Sequence, residues 1–583
     1  MPPVRDRPRR RRRRLIALGV LVVILAWGAL LAAKSWSAYH HDKAGLADLQ
    51  SVRAQLNPGQ LTETSTVSAL DAARGEFDAA HSDLSSPLFA PVTVLPVIGR
   101  QLQSARDLSS AAQSVSQVGG SFLSRVHGII NEPHGAGPER IASLHQLGAL
   151  SLSAESQLAA VQTGPSDALI GPLASKHDEF VSQLDDARSR LTKAAAVSAV
   201  VATILQGPQQ YLVLASNNAE MRAGSGAFLE VGLANTADGS IHVGNMTPSG
   251  SLTLPLGAVS VGGDLERNWG WLRPGVDWRN LGVTPQFDVT GPLAAQMWHA
   301  ETGQQVDGVI ALDVQALQEL LTVTGPVTLP TGQTIGPDDV ISYVLHDQYA
   351  GLTDNSPATG RQDALGSLTS AVLQDLQGQS VDLHTLATAV TSAVDGRHLM
   401  LWSSDPKAQA AWEVSGVSGS LTPNSLAVAV VNRGANKLDQ YLPVHVAVAT
   451  TPSGSGTSVT LTATLKNVTP SGLSQYIAGP YPGVPVDYGG YTGLIAVNLP
   501  AAASNITMTG AGPLAAKSAE GPTWLVAAPV TIPKGASSTV VTTFHLRGSH
   551  GSMQLVPSAR IPAEQWSAGG SSFDDSTSRA INW

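Results

Sequence analysis

The pattern of apolar and polar positions divides the chain into four textures. The first is residues 15–33, LIALGVLVVILAWGALLAA, nineteen residues with no charge. At about 1.5 Å per residue such a helix spans roughly 28 Å, close to the hydrocarbon thickness of a bilayer. Residues 40–205 carry helical periodicity. Leu70, Phe77 and Leu84 recur every seven positions, with Val67, Ala73 and Ala80 on the same face, and Phe180, Leu184, Ala187 and Leu191 follow one helical stripe. Turns are expected at 57–59 (NPG), 132–135 (EPHG) and 163–165 (TGP). An antiparallel helical bundle or stalk fits that spacing. Residues 87–98, PLFAPVTVLPVI, interrupt it, because three prolines forbid a regular helix there. The segment is either a buried connection or a loop that touches the membrane or a partner.

From residue 209 the texture changes. The apolar runs 211–215, 227–233 and 306–312 have the length of buried strands. The last leads into Asp313, a suitable N-cap, and a helix with Val314, Leu317 and Leu321 on one face that Gly325 and Pro326 close. Leu365, Leu368, Val372 and Leu376 mark a further helix. Strands alternating with helices predict an α/β domain over 207–400. From 420 to 560 the pattern is all-β. Val444, Val446 and Val448 alternate with other residues, as do Val459, Leu461, Ala463 and Leu465 across a glycine-rich turn, and strand-length segments follow at 494–499, 524–532 and 539–546. An immunoglobulin-like β-sandwich is the expected packing. Residues 567–583, rich in serine and glycine, read as a flexible tail. The fold class is thus multidomain α+β.

Charge adds a direction to this order. Eight of the first fourteen residues are arginine, opposed only by Asp6, and Trp27, Trp36 and Tyr39 lie toward the other end of the apolar run. By the positive-inside rule, residues 1–14 form a cytoplasmic basic tail, 15–33 a signal-anchor transmembrane helix, and the bulk is extracytoplasmic on the cell membrane. A cleaved signal peptide is the rival reading, with only a weak cleavage site to support it. The tail carries +7 of a chain whose net charge is −9, leaving −16 beyond it. So acidic an ectodomain argues against nucleic acid as a partner. There is no cysteine, hence no disulfide framework and no thiolate site.

Three strings carry a resemblance: residues 217–228 (NNAEMRAGSGAF), 306–313 (VDGVIALD) and 320–327 (LLTVTGPV). Their order and spacing resemble the bacterial family catalogued as domain of unknown function 4012. More distantly, an arginine-bearing turn after a strand, a strand–helix unit ending in Thr-Gly-Pro-Val and a late Arg-Gln helix are similar to the LytR-CpsA-Psr enzymes. Those membrane-anchored envelope proteins hold a polyprenyl pyrophosphate and transfer its glycopolymer. The resemblance matches Arg361 and Gln362 to their late-helix pair. It also departs from them, since Arg222 is followed by Ala223 and Gly224 rather than by aspartate, and 343–347 holds no arginine. Their catalytic set is therefore incomplete here, and enzymatic activity does not follow.

The candidate ligand residues are Arg222, Gly224, Gly226, Arg361 and Gln362, arranged for an anionic headgroup. A guanidinium offers paired donors to phosphate, and glycines let backbone amides converge on an anion. The bland alternative for Arg222 is a turn in which it pairs with Glu220 or another nearby carboxylate. For Arg361 it is pairing with Asp363, Asp338 or Asp339. Trp269, Trp271 and Trp278 either stack sugar rings or pack over a core. Asp307 and Asp313 stand about 20 Å apart along a strand and cannot share one site unless the chain bends. The leading expectation is an envelope-biogenesis protein that binds a cell-wall glycopolymer or a polyprenyl-(pyro)phosphate-linked intermediate and needs no cofactor. A phosphotransferase with a rebuilt site, which would call for Mg²⁺, and a scaffold that binds protein partners are the alternatives.

Overall fold

The computed structural model describes residues 8–54, 64–131, 137–167, 169–352, 364–378, 382–454, 456–481 and 483–583; of the side chains at 8–21 and 24 nothing is described. The expected turns at 57–59 and 132–135 lie outside the described residues, as do Arg361 and Gln362. The chain forms two compact units, Met1–Glu132 with His145–Ala196, and Pro133–Leu144 with Val197–Trp583. The boundary between the units falls near 196, inside the last helix of the helical region, and a short earlier piece belongs to the second unit.

The first unit is helical: α1 (Pro8–Ala54), α2 (Thr64–Leu84), α3 (Ala90–Thr93), α4 (Pro96–Asn131), and the greater parts of α5 (Pro138–Ala159) and α6 (Gly171–Gln206). Its cores are small. Ala73, Phe77 and Ala112 form one, and Ala38, Leu84, Phe89 and Leu102 another. A Cβ on Gly45 would lie 2.8 Å from the Phe77 ring, so this glycine is what lets α1 close on α2. The prolines expected to break helical structure at 87–98 instead begin it. Pro87 and Pro91 stand in the first turn of short helices and Pro96 opens α4, where a missing N–H costs nothing. Among the described residues no helix is long and apolar enough to cross a membrane. The expected span 15–33 lies within α1, with many of its side chains outside the described residues.

The second unit is built on three sheets. In the first, β1 (Gln209–Met221), β2 (Gly226–Ala237), β3 (Ser240–Val243), β4 (Thr247–Pro248), β5 (Gly308–Leu312) and β8 (Leu399–Ser403) run in the order β3-β2-β1-β5-β8, with β4 beside β2. A ribbon of β6 (Val327–Thr328) and β7 (Thr334–Ile335) stands apart from it. Only β1 and β5 pair in parallel. The helices are α7 (Gly263–Trp269), α8 (Phe287–Thr302), α9 (Val314–Thr324), α10 (Val340–Leu345), α11 (Ala364–Gly378), α12 (Leu383–Asp395) and α13 (Pro406–Ser415). The apolar run of β1 is buried on both faces because its residues alternate. Leu212 and Leu214 share a core with Phe287, Leu293 and Met297 of α8. Tyr211, Val213 and Ala215 share another with Leu317 and Leu321 of α9 and Leu365, Leu368 and Val372 of α11.

The other two sheets contain β9 (Ser425–Asn432), β10 (Val444–Ser453), β11 (Gly456–Lys466), β12 (Tyr491–Leu499), β13 (Ser504–Thr509), β14 (Ala516–Glu520), β15 (Thr523–Ile532), β16 (Ser537–Arg547), β17 (Ser552–Leu555), β18 (Gln565–Ala568), β19 (Ser571–Asp574) and β20 (Arg579–Asn582). Their orders are β13-β16-β11-β10-β18-β19 and β14-β15-β12-β9-β17-β20. The pairs β10–β18 and β9–β17 are parallel. Two six-stranded sheets with parallel pairs depart from the seven to nine antiparallel strands of an immunoglobulin sandwich. The expectation of a flexible tail at 567–583 is corrected as well. β19 and β20 lie there, with Ile581 buried beside Trp566 in the sandwich core.

The sandwich is also not a separate body. Val428, Val430, Ile495, Val497 and Val526 face its interior, while the intervening Ala429, Val431, Leu494, Ala496, Leu525 and Ala527 join the core that holds Leu212, Phe228, Trp269 and Trp278. Ala429, Ala496 and Ala527 sit side by side across β9, β12 and β15. Small side chains in that row let the sheet serve as a middle layer, buried on both faces.

Candidate functional site

The string 217–228 contains the β1–β2 connection, and its polar residues fasten the first sheet to its surroundings. Asn217 donates to the Tyr349 hydroxyl at 2.9 Å. Asn218 donates to Asp313 Oδ2 and to the Ala559 carbonyl, both at 2.8 Å. Asp313 is fully buried. One of its oxygens caps α9 through Gln315 N and Ala316 N, and the other accepts from Asn218, Ser225 and His398 Nδ1. Burial pulls the His398 pKa down, but the Asp313 charge and hydrogen bond outweigh it and leave it raised. Asp307 meets a different group, accepting from Gln210 N at 2.7 Å. As its strand position required, it shares no site with Asp313.

The Met221 amide donates to Asp439 Oδ2 at 3.0 Å. Asp439 and Arg560 form a buried ion pair at 3.2 Å, and Tyr491 and Asn432 donate to the same carboxylate. Arg560 also bonds the carbonyls of Asp439 and Leu442. This cluster ties β1 to the sandwich.

Immediately beyond it, Arg222 lines a cavity of about 510 Å³ that also takes in Glu220, Asp277, Arg279, Arg433, Lys437, Tyr476 and Tyr481. The Arg222 amide donates to the Ser225 carbonyl at 2.6 Å, closing the turn. Its Nη1 donates to the carbonyls of Met221 at 3.0 Å and Glu220 at 3.3 Å. The residue is 8% exposed, and among the described residues its buried Nε has no partner. Burial lowers its pKa against the opposing pull of Glu220, Asp439 and Asp277. The Glu220 carboxylate is not bonded to Arg222; it pairs with Lys437 Nζ at 2.6 Å. Burial would raise the Glu220 pKa, but Lys437 outweighs it and the net shift is downward. Lys437 also lies 4.2 Å from the centre of the Tyr349 ring.

Arg279 grips Asp277 with two hydrogen bonds, 2.9 and 2.8 Å. Among the described residues, no carboxylate is bonded to Arg433. It lies 5.6 Å from the centre of the Trp271 ring, and its pKa is lowered by burial and then by the charge of Arg222. Four cations thus face two carboxylates. Lys437 bonds Glu220 and Arg279 bonds Asp277, so Arg222 feels the charge of Glu220, Asp439 and Asp277 without a bond to any of them, and Arg433 stands near it as a further cation. Such an arrangement is relieved by a bound anion, and a partly desolvated guanidinium is a strong donor to phosphate or carboxylate oxygens.

The sequence singled out Arg222 but gave its glycines a different role. Gly224 N donates to the Gly282 carbonyl, and a Cβ on Gly226 would lie 2.1 Å from the Asn217 carbonyl oxygen. Both glycines permit close packing, and the Gly224 amide is already engaged. Of the tryptophans, Trp269 and Trp278 are core residues, donating to Glu520 at 2.6 Å and to the Leu252 carbonyl at 2.9 Å. Trp271 is 54% exposed and remains open to stacking. Arg433 and Lys437 were not anticipated. Their signal was the polar turn 432–437, NRGANK, which places two cations directly after a strand. Among the described residues no group of three or more histidines and carboxylates could hold a metal ion.

A family of proteins of unknown function, DUF4012, matches residues 206–349 through its family model. The matched segment supplies Glu220, Arg222, Asp277 and Arg279, whereas Arg433, Lys437, Tyr476 and Tyr481 lie beyond it. No curated protein and no solved structure matches the chain.

Proposed function

Starting from a chain that carries the DUF4012 region, we propose that it is a membrane-anchored envelope protein. It binds the anionic part of a cell-wall glycopolymer or of a polyprenyl-(pyro)phosphate-linked intermediate in the Arg222 cavity. The observation that supports this reading is that Arg222, buried and with no carboxylate bonded to it among the described residues, shares a cavity with Arg433 in a chain otherwise rich in acid. The exposed Trp271 ring beside Arg433 supplies a flat apolar face next to the cations, suited to a sugar joined to a phosphate. The arginine run ahead of the uncharged residues 15–33 supports the anchorage, read by the positive-inside rule with the bulk of the chain outside the membrane.

Titration calorimetry of the full chain in detergent, with pyrophosphate and with a glycerol-phosphate oligomer, tests the reading. Binding should weaken with added salt and weaken roughly ten- to hundredfold in Arg433→Ala, the range for a lost charged hydrogen bond. Equal heats for wild type and Arg433→Ala would refute it.

A further inference from the structure

The segment that joins α2 to α4 is unusually apolar at its surface. Val94 is 77% exposed, Leu95 47%, Val97 67% and Ile98 54%. No ionisable residue occurs from 84 to 99. Two contacts fix its place on α1. Trp27 Nε1 donates to the Leu88 carbonyl at 3.0 Å, and Leu31 packs against the cluster of Ala38, Leu84, Phe89 and Leu102. Seven residues further along α1, about 10 Å by helical rise, Lys34 pairs with Asp83. The apolar segment thus meets α1 at Trp27 and Leu31 and reaches along it, with Val92 and Ile98 bordering a cavity beside Ser35 and Tyr39. Trp27 lies inside the uncharged run 15–33, where Val22, Val23, Leu25 and Leu30 are also exposed.

We infer that residues 88–98 are a second membrane contact, a proline-started apolar lobe that enters the outer leaflet beside α1. This rests on the reading of α1 as the anchor. The occupant is lipid because the lobe continues the exposed apolar surface of that run and carries no ionisable group from 84 to 99. Its function is to hold the base of the helical unit at a fixed depth, giving it a two-point attachment that a lone helix cannot supply.

The chain contains no cysteine, so single labels can be introduced cleanly. Val94→Cys, Val97→Cys, Val23→Cys and Ser156→Cys, each carrying an environment-sensitive fluorophore, would be reconstituted as full chains into phosphatidylcholine–phosphatidylglycerol vesicles with spin-labelled lipids. Labels at 94 and 97 should emit to the blue and be quenched at a depth of about 5–10 Å below the headgroups, while the label at 156 stays in water. Quenching at 23 without quenching at 94 and 97 would overturn the lobe and leave the anchor standing. Quenching at neither would overturn both. A blue shift at 94 without lipid quenching would assign the lobe to a protein partner and overturn the inference.

Discussion

Two neighbouring charge clusters in the second unit are built from the same kinds of residue and end differently. Around Asp439, one carboxylate accepts from Met221 N, Asn432, Tyr491 and Arg560, and the arginine's terminal nitrogens are spent on that carboxylate and two carbonyls. Around Arg222, one terminal nitrogen is spent on two carbonyls, the adjacent carboxylate goes to Lys437, and the group opens on a cavity with cations in excess. A buried ion pair whose donors are nearly all answered is an internal joint. A buried cation with no carboxylate bonded to it is a joint open to a second component. Each arginine leaves its Nε without a partner among the described residues, so what separates the two is the bonded carboxylate that Arg560 has and Arg222 lacks.

The comparison breaks first if the closed cluster tolerates damage. Arg560→Ala leaves the Asp439 carboxylate buried and uncompensated, and should cost about 3–5 kcal/mol in denaturant unfolding. Because it joins β1 to the sandwich, the whole second unit should lose stability in one transition. Separate melting of the sandwich would contradict the shared core.

At the open cluster the expected effects fall on binding instead. Arg433→Ala should leave unfolding stability within about 0.5 kcal/mol, as for an exposed site, while weakening phosphate binding by about 1.5–3 kcal/mol. A smaller effect concerns Glu564, a second unanswered group. Burial, and then Asp575, raises its pKa well above the usual carboxylate range, and its Oε1 has no partner among the described residues. A raised folded pKa means that its stabilising share is full below the unfolded value and lost as pH rises through the folded one. Glu564→Gln should thus flatten the decline of stability between about pH 5 and pH 8, leaving the variant the more stable of the two at the upper end. Denaturant midpoints at the two pH values measure it, and parallel declines would contradict the assignment. Smallest is Trp271→Ala, which removes the ring under Arg433 and should weaken saccharide-phosphate binding by about 0.5–1 kcal/mol, with simple phosphate affected less.

Much of the second unit was legible because its elements obey local rules. The run 211–215 marked β1, and Asp313 was readable as the cap of α9 from the strand before it and the helical stripe after it. Arg222 was legible as a candidate because an arginine among glycines after a strand is an unusual choice. What stayed hidden was pairing across the sequence. Nothing near Arg222 announces Lys437 or Arg433, more than 200 positions later. The segment 494–499 was legible as a strand, but nothing in it said that both faces of its sheet would be covered. Trp269 and Trp278 looked like Trp271 in sequence, and only the packing of the middle sheet separates them. β19 and β20 were unreadable for another reason, since strands of four residues with a single large apolar side chain each, Phe573 and Ile581, carry no alternating signal.

The central claim is that an anion completes the Arg222 cluster. Anomalous diffraction from crystals soaked in tungstate tests it most directly, with a second soak in which excess pyrophosphate competes. The account predicts a peak within hydrogen-bond reach of Arg222 Nε and the Arg433 guanidinium, lost on adding pyrophosphate. Peaks only elsewhere on the surface, with none in this cavity, would contradict it.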